Sequence, residues 1–312
     1  MSGQTTVKTS ASMVNLESSE NINELIKNKS LWADAWNRLK QDKIAIVSLG
    51  VVLFYVIIAV LVWTGLLAGD HAQVVGPVEA EPFQNWDYIL GTDIHGQSVL
   101  RKIIYGTKIA ISVGLISSMI AIPIGVTLGA LAGYFGGWVD EVIVWFYTTV
   151  SSIPGIMLLM SIAFILGRGI TTVYIALGLT SWVGLCRLIR GEVLKHKNRE
   201  YVQAAGAIGA SHSRRLFKHI IPNVTHIVII STSLQFQIAI KSEVILSYLG
   251  LGVEVGTPSW GTMINDAKAE LIKGVWWQLA GATIAMFFVV LAFNILGDAL
   301  RDALDPKLKG KH

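Results

Sequence analysis

Few side chains in this sequence stand where they could do chemistry. Lys241 and Glu243, in the stretch IAIKSEVILSYLGLG, lie inside a long apolar run. An ionisable group at mid-bilayer depth costs about 2.5–3.5 kcal/mol on insertion scales, so it normally faces a cavity, a partner chain or an opposite charge. Two residues apart, the pair cannot share one face of a helix. Either at least one lines a path through the membrane, or both are structural or interfacial; both are therefore candidates for a translocation path. His212, His219 and His226 recur every seventh residue across Pro222, a placement that reads as surface or headgroup contact rather than a metal site. Cys186 is the single cysteine, which excludes an internal disulfide and every multi-cysteine metal centre. The sequence contains no G-x-x-x-x-G-K-[ST], so any ATP must be bound by other chains. No catalytic residue, no metal ligand and no cofactor is expected in this chain.

The elements that must position these groups are membrane helices. Of the 312 residues 53% are hydrophobic and only 15% charged, with mean hydropathy +0.57, too apolar for an ordinary soluble enzyme. Apolar runs at about 44–67, 109–134, 142–166, 172–189, 224–249 and 278–297 each approach the roughly 20 residues a helix needs to cross the hydrocarbon. The expectation is an all-α polytopic membrane protein with six transmembrane helices. Residues 1–30 are polar and carry no apolar stretch ending in a cleavage-like site, so the first span is expected to insert the chain without a cleaved signal peptide. Six Lys/Arg precede that span, eight lie between 187 and 218, four follow Asp298, and only six fall on the opposite side. That bias puts both termini and the 190–222 loop in the cytoplasm.

The chain then divides into a cytoplasmic tail over 1–43, a first transmembrane helix over 44–67, an external segment over 68–108, a membrane core over 109–297 that includes a basic loop at 196–222, and a cytoplasmic tail over 298–312. Residues 1–21 read as disordered. Trp32, Trp36 and Leu39, spaced i, i+4, i+7 among basic residues, predict a helix lying in the headgroup layer over about 22–43. Ser117, Ala121, Gly125, Gly129 and Gly133 repeat every fourth residue, a smooth face on which another helix can pack closely. Pro123 and Pro154 predict kinks. Trp276 and Trp277 read as an aromatic belt.

The polar interlude EYVQAAGAIGASHSRRLFKHIIPN, residues 200–223, predicts two short amphipathic helices. Asn198 is placed to cap the first, Gly209 permits the turn, Ser211 caps the second, and Pro222 stops it after Ile221. Such a hairpin either lies on anionic lipid or docks a cytoplasmic partner. A DNA-binding helix-turn-helix is excluded by its tethering at both ends to membrane helices, and no nucleic acid is expected.

The same interlude resembles the EAA loop of ABC importer permeases. LGTDIHGQSVLRKIIYGTKIAISVG, LSYLGLGV…TPSWGTMINDA and LAFNILGDALRDALDPK are similar to the corresponding segments of the dipeptide/oligopeptide/nickel permease family, in its C-type subunit, and the resemblance runs from about Leu31 to Lys309. It implies an ABC importer type I (MetI-like) permease fold in a bacterial inner (plasma) membrane. The implied partners are membrane lipid, a second homologous permease forming a heterodimer, two cytoplasmic ABC ATPases that bind ATP and Mg, and an external solute-binding protein. The loop's alanines fall on Ala204 and Ala205 and its glycine on Gly209, while its initial Glu is Gln203 here. The implied coupling surface is Glu200, Tyr201, Gln203, Ala204, Ala205, Gly209, Ala210 and Ser211. The family's external GRD reads Gly96-Gln97-Ser98, and Glu243 matches the family's Glu whereas Lys241 is unusual. The implied cargo is peptide, with nickel complexes, glutathione or another peptide-like solute as alternatives. A secondary transporter is the competing class; it would need an inverted repeat and a self-sufficient ion site, and no repeat is visible.

Overall fold

The computed structural model describes residues 31–304, with side chains from Trp36 onward. Among the described residues there are helices and turns and no strand. The helices are α1 Leu31–Gln41, α2 Lys43–Trp63, α3 Val99–Phe135, α4 Gly137–Ser151, α5 Gly155–Leu166, α6 Ile170–Thr180, α7 Trp182–Lys197, α8 Glu200–Ala207, the single turn α9 His212–Arg214, α10 Ile221–Tyr248, α11 Trp260–Ile272 and α12 Trp277–Leu304. Five helical stretches are long and apolar enough to cross a membrane, and the bent pair α4–α5 is the sixth. The expected tails at 1–30 and 305–312 lie outside the described residues, and of the expected interfacial helix only Leu31–Gln41 is described.

Helix α3 is the central pillar, packed most extensively on α7 and also on α2, α6 and α10. The small-residue stripe explains that arrangement. A Cβ at Gly129 would stand 2.5 Å from the Cys186 carbonyl oxygen, and one at Gly133 2.7 Å from that of Arg190, so only glycine lets the α3 and α7 backbones approach this closely. On the opposite flank, α2 turns Ile46, Val47, Phe54 and Ile57 outward, as a lipid-facing helix should. It holds to the bundle through Tyr55, whose hydroxyl donates to the Ala285 carbonyl of α12 at 2.9 Å. Asp42 starts α2 by accepting from the backbone N–H groups of Ile44 and Ala45, satisfying donors that a helix start leaves orphaned.

Several boundaries depart from the sequence expectations. Helix α3 starts at Val99, so the segment expected to be external ends near residue 98 rather than 108, and Arg101, Lys102 and Lys108 are helical. The third span does bend at Pro154, as expected, and the bend is a full break: α4 and α5 meet at 86°, because Pro154 cannot continue the α4 ladder and instead caps α5. Pro123, by contrast, lies within an uninterrupted α3. Pro222 does not stop the second hairpin helix. The backbone widens into a π-turn over Arg215–Ile220, where the Ile221 N–H bonds the Leu216 carbonyl five residues back, and Pro222 then sits in the first turn of α10, where a missing N–H costs little. The hairpin is therefore continuous with a membrane helix. Asn198 is also not a cap of α8; Arg199 holds that position and Asn198 ends α7. Ser211 does cap, accepting from Arg214 N–H at 3.3 Å, and Gly209 makes the turn at φ +85°.

The loops sort into two ends. The segment after α2, the α5–α6 turn and the α10–α12 connection lie together: Gly169 N–H donates to the Gly252 carbonyl, and the Trp277 indole donates to the Thr92 carbonyl. The α3–α4 turn and the hairpin meet at the other end, where the Tyr134 hydroxyl lies 3.0 Å from His212 Nδ1.

Candidate functional site

The hairpin presents a distinct tip. Val202, Leu216 and Ile220 are buried among side chains of α3, α7 and α10, which fixes the hairpin to the bundle. Tyr201 is held from two sides, its hydroxyl 2.8 Å from His196 Nδ1 and accepting from Asn223 Nδ2 at 3.5 Å. Gln203 donates to the Asn198 carbonyl at 3.3 Å. Glu200, Gln203, Ala204, Gly209 and Ser211 are exposed and Ala210 is partly so. Ala205 differs from its neighbour: it is 5% exposed, so its short side chain serves the hairpin's own packing while Ala204 faces outward. Ile208 is not among the residues of the implied coupling surface, yet it is 87% exposed. With Ala204, Ala207 and Gly209 it makes a small apolar summit at the end of a braced support. The signal available in the sequence was a large apolar residue directly before the turn glycine.

Inside the bundle, Lys241 and Glu243 part company. Glu243 is 1% exposed, its Oε1 accepts from Ser247 Oγ at 2.7 Å, and Ser247 Oγ in turn accepts from Val253 N–H. The seam is tight, since a Cβ on Gly261 would come within 2.6 Å of Ser247 Cβ. Glu243 thus ties α10 to the loop before α11. Lys241 is exposed. The two form no ion pair with each other. A separate cavity of about 300 Å³ opens between α3, α7 and α10, lined by Ala121, Ser181, Gly184, Ser231 and Gln235 among others. Gln235 Nε2 is buried there without a partner.

At the end of the bundle away from the hairpin a polar clamp joins segments far apart in sequence. Asp93 accepts from the backbone of His95 and Gln97 and from Lys102 Nζ at 2.5 Å, with both charged groups buried. Ile94 N–H donates to Glu270 Oε1 at 3.1 Å, while Glu270 Oε2 has no partner. Burial pushes the Glu270 carboxyl up to about 7, and burial also raises that of Asp266, against the pull of Lys102. Lys273 pairs with Glu79, and Arg101 with Asp70. Gln97 donates to the Ala72 carbonyl and Ser98 opens α3. A cleft of about 780 Å³ lies beside the clamp, with Lys102, Arg168, Glu254 and Asp266 on its wall.

Among the described residues there is no group of three or more His, Cys, Asp or Glu side chains placed to hold a metal. The arrangement comprises a projecting tip, a helical continuation into α10, and cavities along the bundle. Residues 125–310 match the family model of the binding-protein-dependent transport system inner membrane component, and residues 30–87 match that of the N-terminal transmembrane domain of oligopeptide transport permease C. The chain is 36% identical to the dipeptide transport system permease protein of Bacillus subtilis strain 168 over 277 residues, covering 88% of this chain and 86% of that protein. It is 34% identical to the glutathione transport system permease protein of Pectobacterium atrosepticum over 91% of this chain and 95% of that one. Identity to the oligopeptide transport system permease protein of Haemophilus influenzae is 35%, over 90% of each.

Proposed function

We infer, from the premise that this chain belongs to the family of binding-protein-dependent transport system inner membrane components, that it is one of two permease subunits of an ATP-driven importer of peptides. The chain is a non-catalytic, multi-pass membrane component. Two separate ATPases bind ATP and Mg in this reading, a second permease completes the path, and an external binding protein delivers the cargo. Dipeptide, oligopeptide and glutathione, the cargoes in the relatives' names, share peptide bonds, so the path must accept amide groups rather than one side chain.

The observation that carries the mechanism is the unbroken helix from the hairpin into α10. A push on the Ala204–Ile208–Gly209 tip crosses only the short turn that ends at Ser211 before it enters one continuous helix, His212–Tyr248, made of α9, the π-turn and α10. Since α10 carries Ser231 and Gln235, its tilt changes the cavity against α3 and α7. Closure of the ATPases would thus open the bundle outward, and ATP hydrolysis would reset it. The hairpin end is cytoplasmic in this account, as the positive charge bias of 187–218 requires. Lys241, being exposed, faces lipid headgroups, the second permease or the path between the two; Glu243 acts from within its seam.

The experiment that tests the cargo is co-purification of the binding protein with the assembled complex, followed by titration with di- and tripeptides, glutathione and nickel complexes. Saturable peptide binding supports the reading. Binding of nickel complexes with no peptide binding would overturn it.

A further inference from the structure

Where the hairpin meets the end of α3, a cavity of about 280 Å³ opens, bounded by Tyr134, Phe135, Lys197, Gln203, His212 and Arg215. Its charge is one-sided. Two basic side chains nearby are neutralised, Arg190 by Asp140 and Lys195 by Glu192, while Arg187, Arg199, Arg214 and Lys218 are in no ion pair but do not line the cavity. Lys197 and Arg215 have no such partner, and among the described residues no carboxylate lines the cavity. Gln203 stands at the wall in amide form.

The arginine is built into place rather than waving in solvent. Its Nη2 donates to His212 Nδ1 at 3.1 Å, and its Nη1 lies over Gly206, where an added Cβ would come within 3.0 Å. Its Nε is buried and has no acceptor. Because a guanidinium can only donate, His212 Nδ1 accepts, which leaves the ring proton on Nε2 as a further donor. Lys197 is steered to the same place, its Nζ 5.9 Å from the centre of the Tyr134 ring. The site offers donors, two fixed positive charges and a buried N–H that needs an oxygen, which is the complement of a phosphate group. Its depth follows from the aromatic residues beside it: Phe135 on the wall is 50% exposed and Trp138, three residues on, is 74% exposed, as aromatic side chains are at headgroup level.

We propose that this pocket binds a phosphate group, that of an anionic phospholipid headgroup, and so pins the hairpin to the ends of α3 and α7. The occupant supplies the oxygen that Arg215 Nε lacks and the negative charge that Gln203 does not. The proposal does not depend on the transport reading.

The test uses the full-length chain in nanodiscs of phosphatidylcholine with a minority of phosphatidylglycerol, with retained lipid counted by native mass spectrometry, in the presence and absence of inorganic phosphate. Wild type should retain phosphatidylglycerol selectively. Arg215→Gln, which removes the charge, and Gln203→Glu, which installs an internal carboxylate at an exposed position, should each lower that selectivity about tenfold, the worth of one charge-assisted contact. Lys195→Gln, outside the pocket, should not. Retention that inorganic phosphate cannot displace assigns the site to lipid, and displacement by phosphate shows that it takes the group from either source. If Arg215→Gln fails to fold, Gln203→Glu still decides. No selectivity in wild type, or wild-type selectivity in Gln203→Glu, would overturn the proposal.

Discussion

Replacing Ile208 by serine separates docking from folding more cleanly than any other change to the hairpin. The side chain is 87% exposed in the isolated chain, so its removal takes almost no buried apolar surface from the fold, and the thermal stability of the chain should stay within about 0.5 kcal/mol of wild type. If the tip enters a groove on an ATPase, full burial of an isoleucine is worth about 1.5–3 kcal/mol. At 1.4 kcal/mol per factor of ten, Ile208→Ser should weaken ATPase association roughly 10- to 150-fold. The assay is titration of labelled ATPase onto the permease pair in nanodiscs, with thermal unfolding of the same samples as the control. Unchanged association at unchanged stability would refute the reasoning, because it would leave the most exposed apolar residue of the hairpin without a partner.

Gly209→Val places a β-branched residue at φ +85° with no atom near its Cβ, so the cost is backbone strain of about 1–3 kcal/mol; the complex should hydrolyse ATP with reduced uptake, and wild-type uptake would make the turn irrelevant. Gly129→Ala drives a Cβ to 2.5 Å from a backbone oxygen of α7 and should destabilise by about 1–3 kcal/mol in thermal unfolding, whereas Gly184→Ala, with nothing nearby, should be neutral. Glu270, pushed up to about 7 from 4.5, holds its proton in the folded chain where the unfolded chain has lost it. Its contribution is therefore complete below about pH 4.5 and declines as pH rises through about 7, by up to about 1.4 kcal/mol per pH unit. Glu270→Gln, which still accepts from Ile94, should flatten stability between pH 5 and 8, and an undiminished slope would refute the assignment. Cysteines introduced at positions 85 and 265 should react with an impermeant thiol reagent from outside and one at 196 should not, against the buried Cys186 as a silent background.

What the sequence revealed and what it withheld have physical causes. Local periodicity was readable: the four-residue spacing of Ser117, Ala121, Gly125, Gly129 and Gly133 predicted the close face that α7 occupies, and hydropathy found the spans. The hairpin's turn was readable because Gly209 and Ser211 act within a few residues of themselves. Pro222 misled because a proline is a stop signal only if the preceding ladder is α-helical; a π-turn shifts the hydrogen bonds and lets it begin a helix. The clamp around Glu270 could not be read at all, since Ile94 and Glu270 are 176 residues apart and only the folded bundle brings them together. Lys241 and Glu243 were correctly assigned to different faces, but not which of them was buried, because helical phase alone does not say where the neighbours stand.

The central claim is that force from ATP enters through the hairpin and moves α10. It is tested most directly by peptide uptake into proteoliposomes that hold the permease pair and its ATPases, with loaded binding protein outside and either ATP or an imposed proton gradient as the sole energy source. The account predicts uptake with ATP trapped on the ATPase side, none with the gradient alone, and loss of ATP-driven uptake in Gly209→Val. Uptake driven by the gradient without ATP would contradict it.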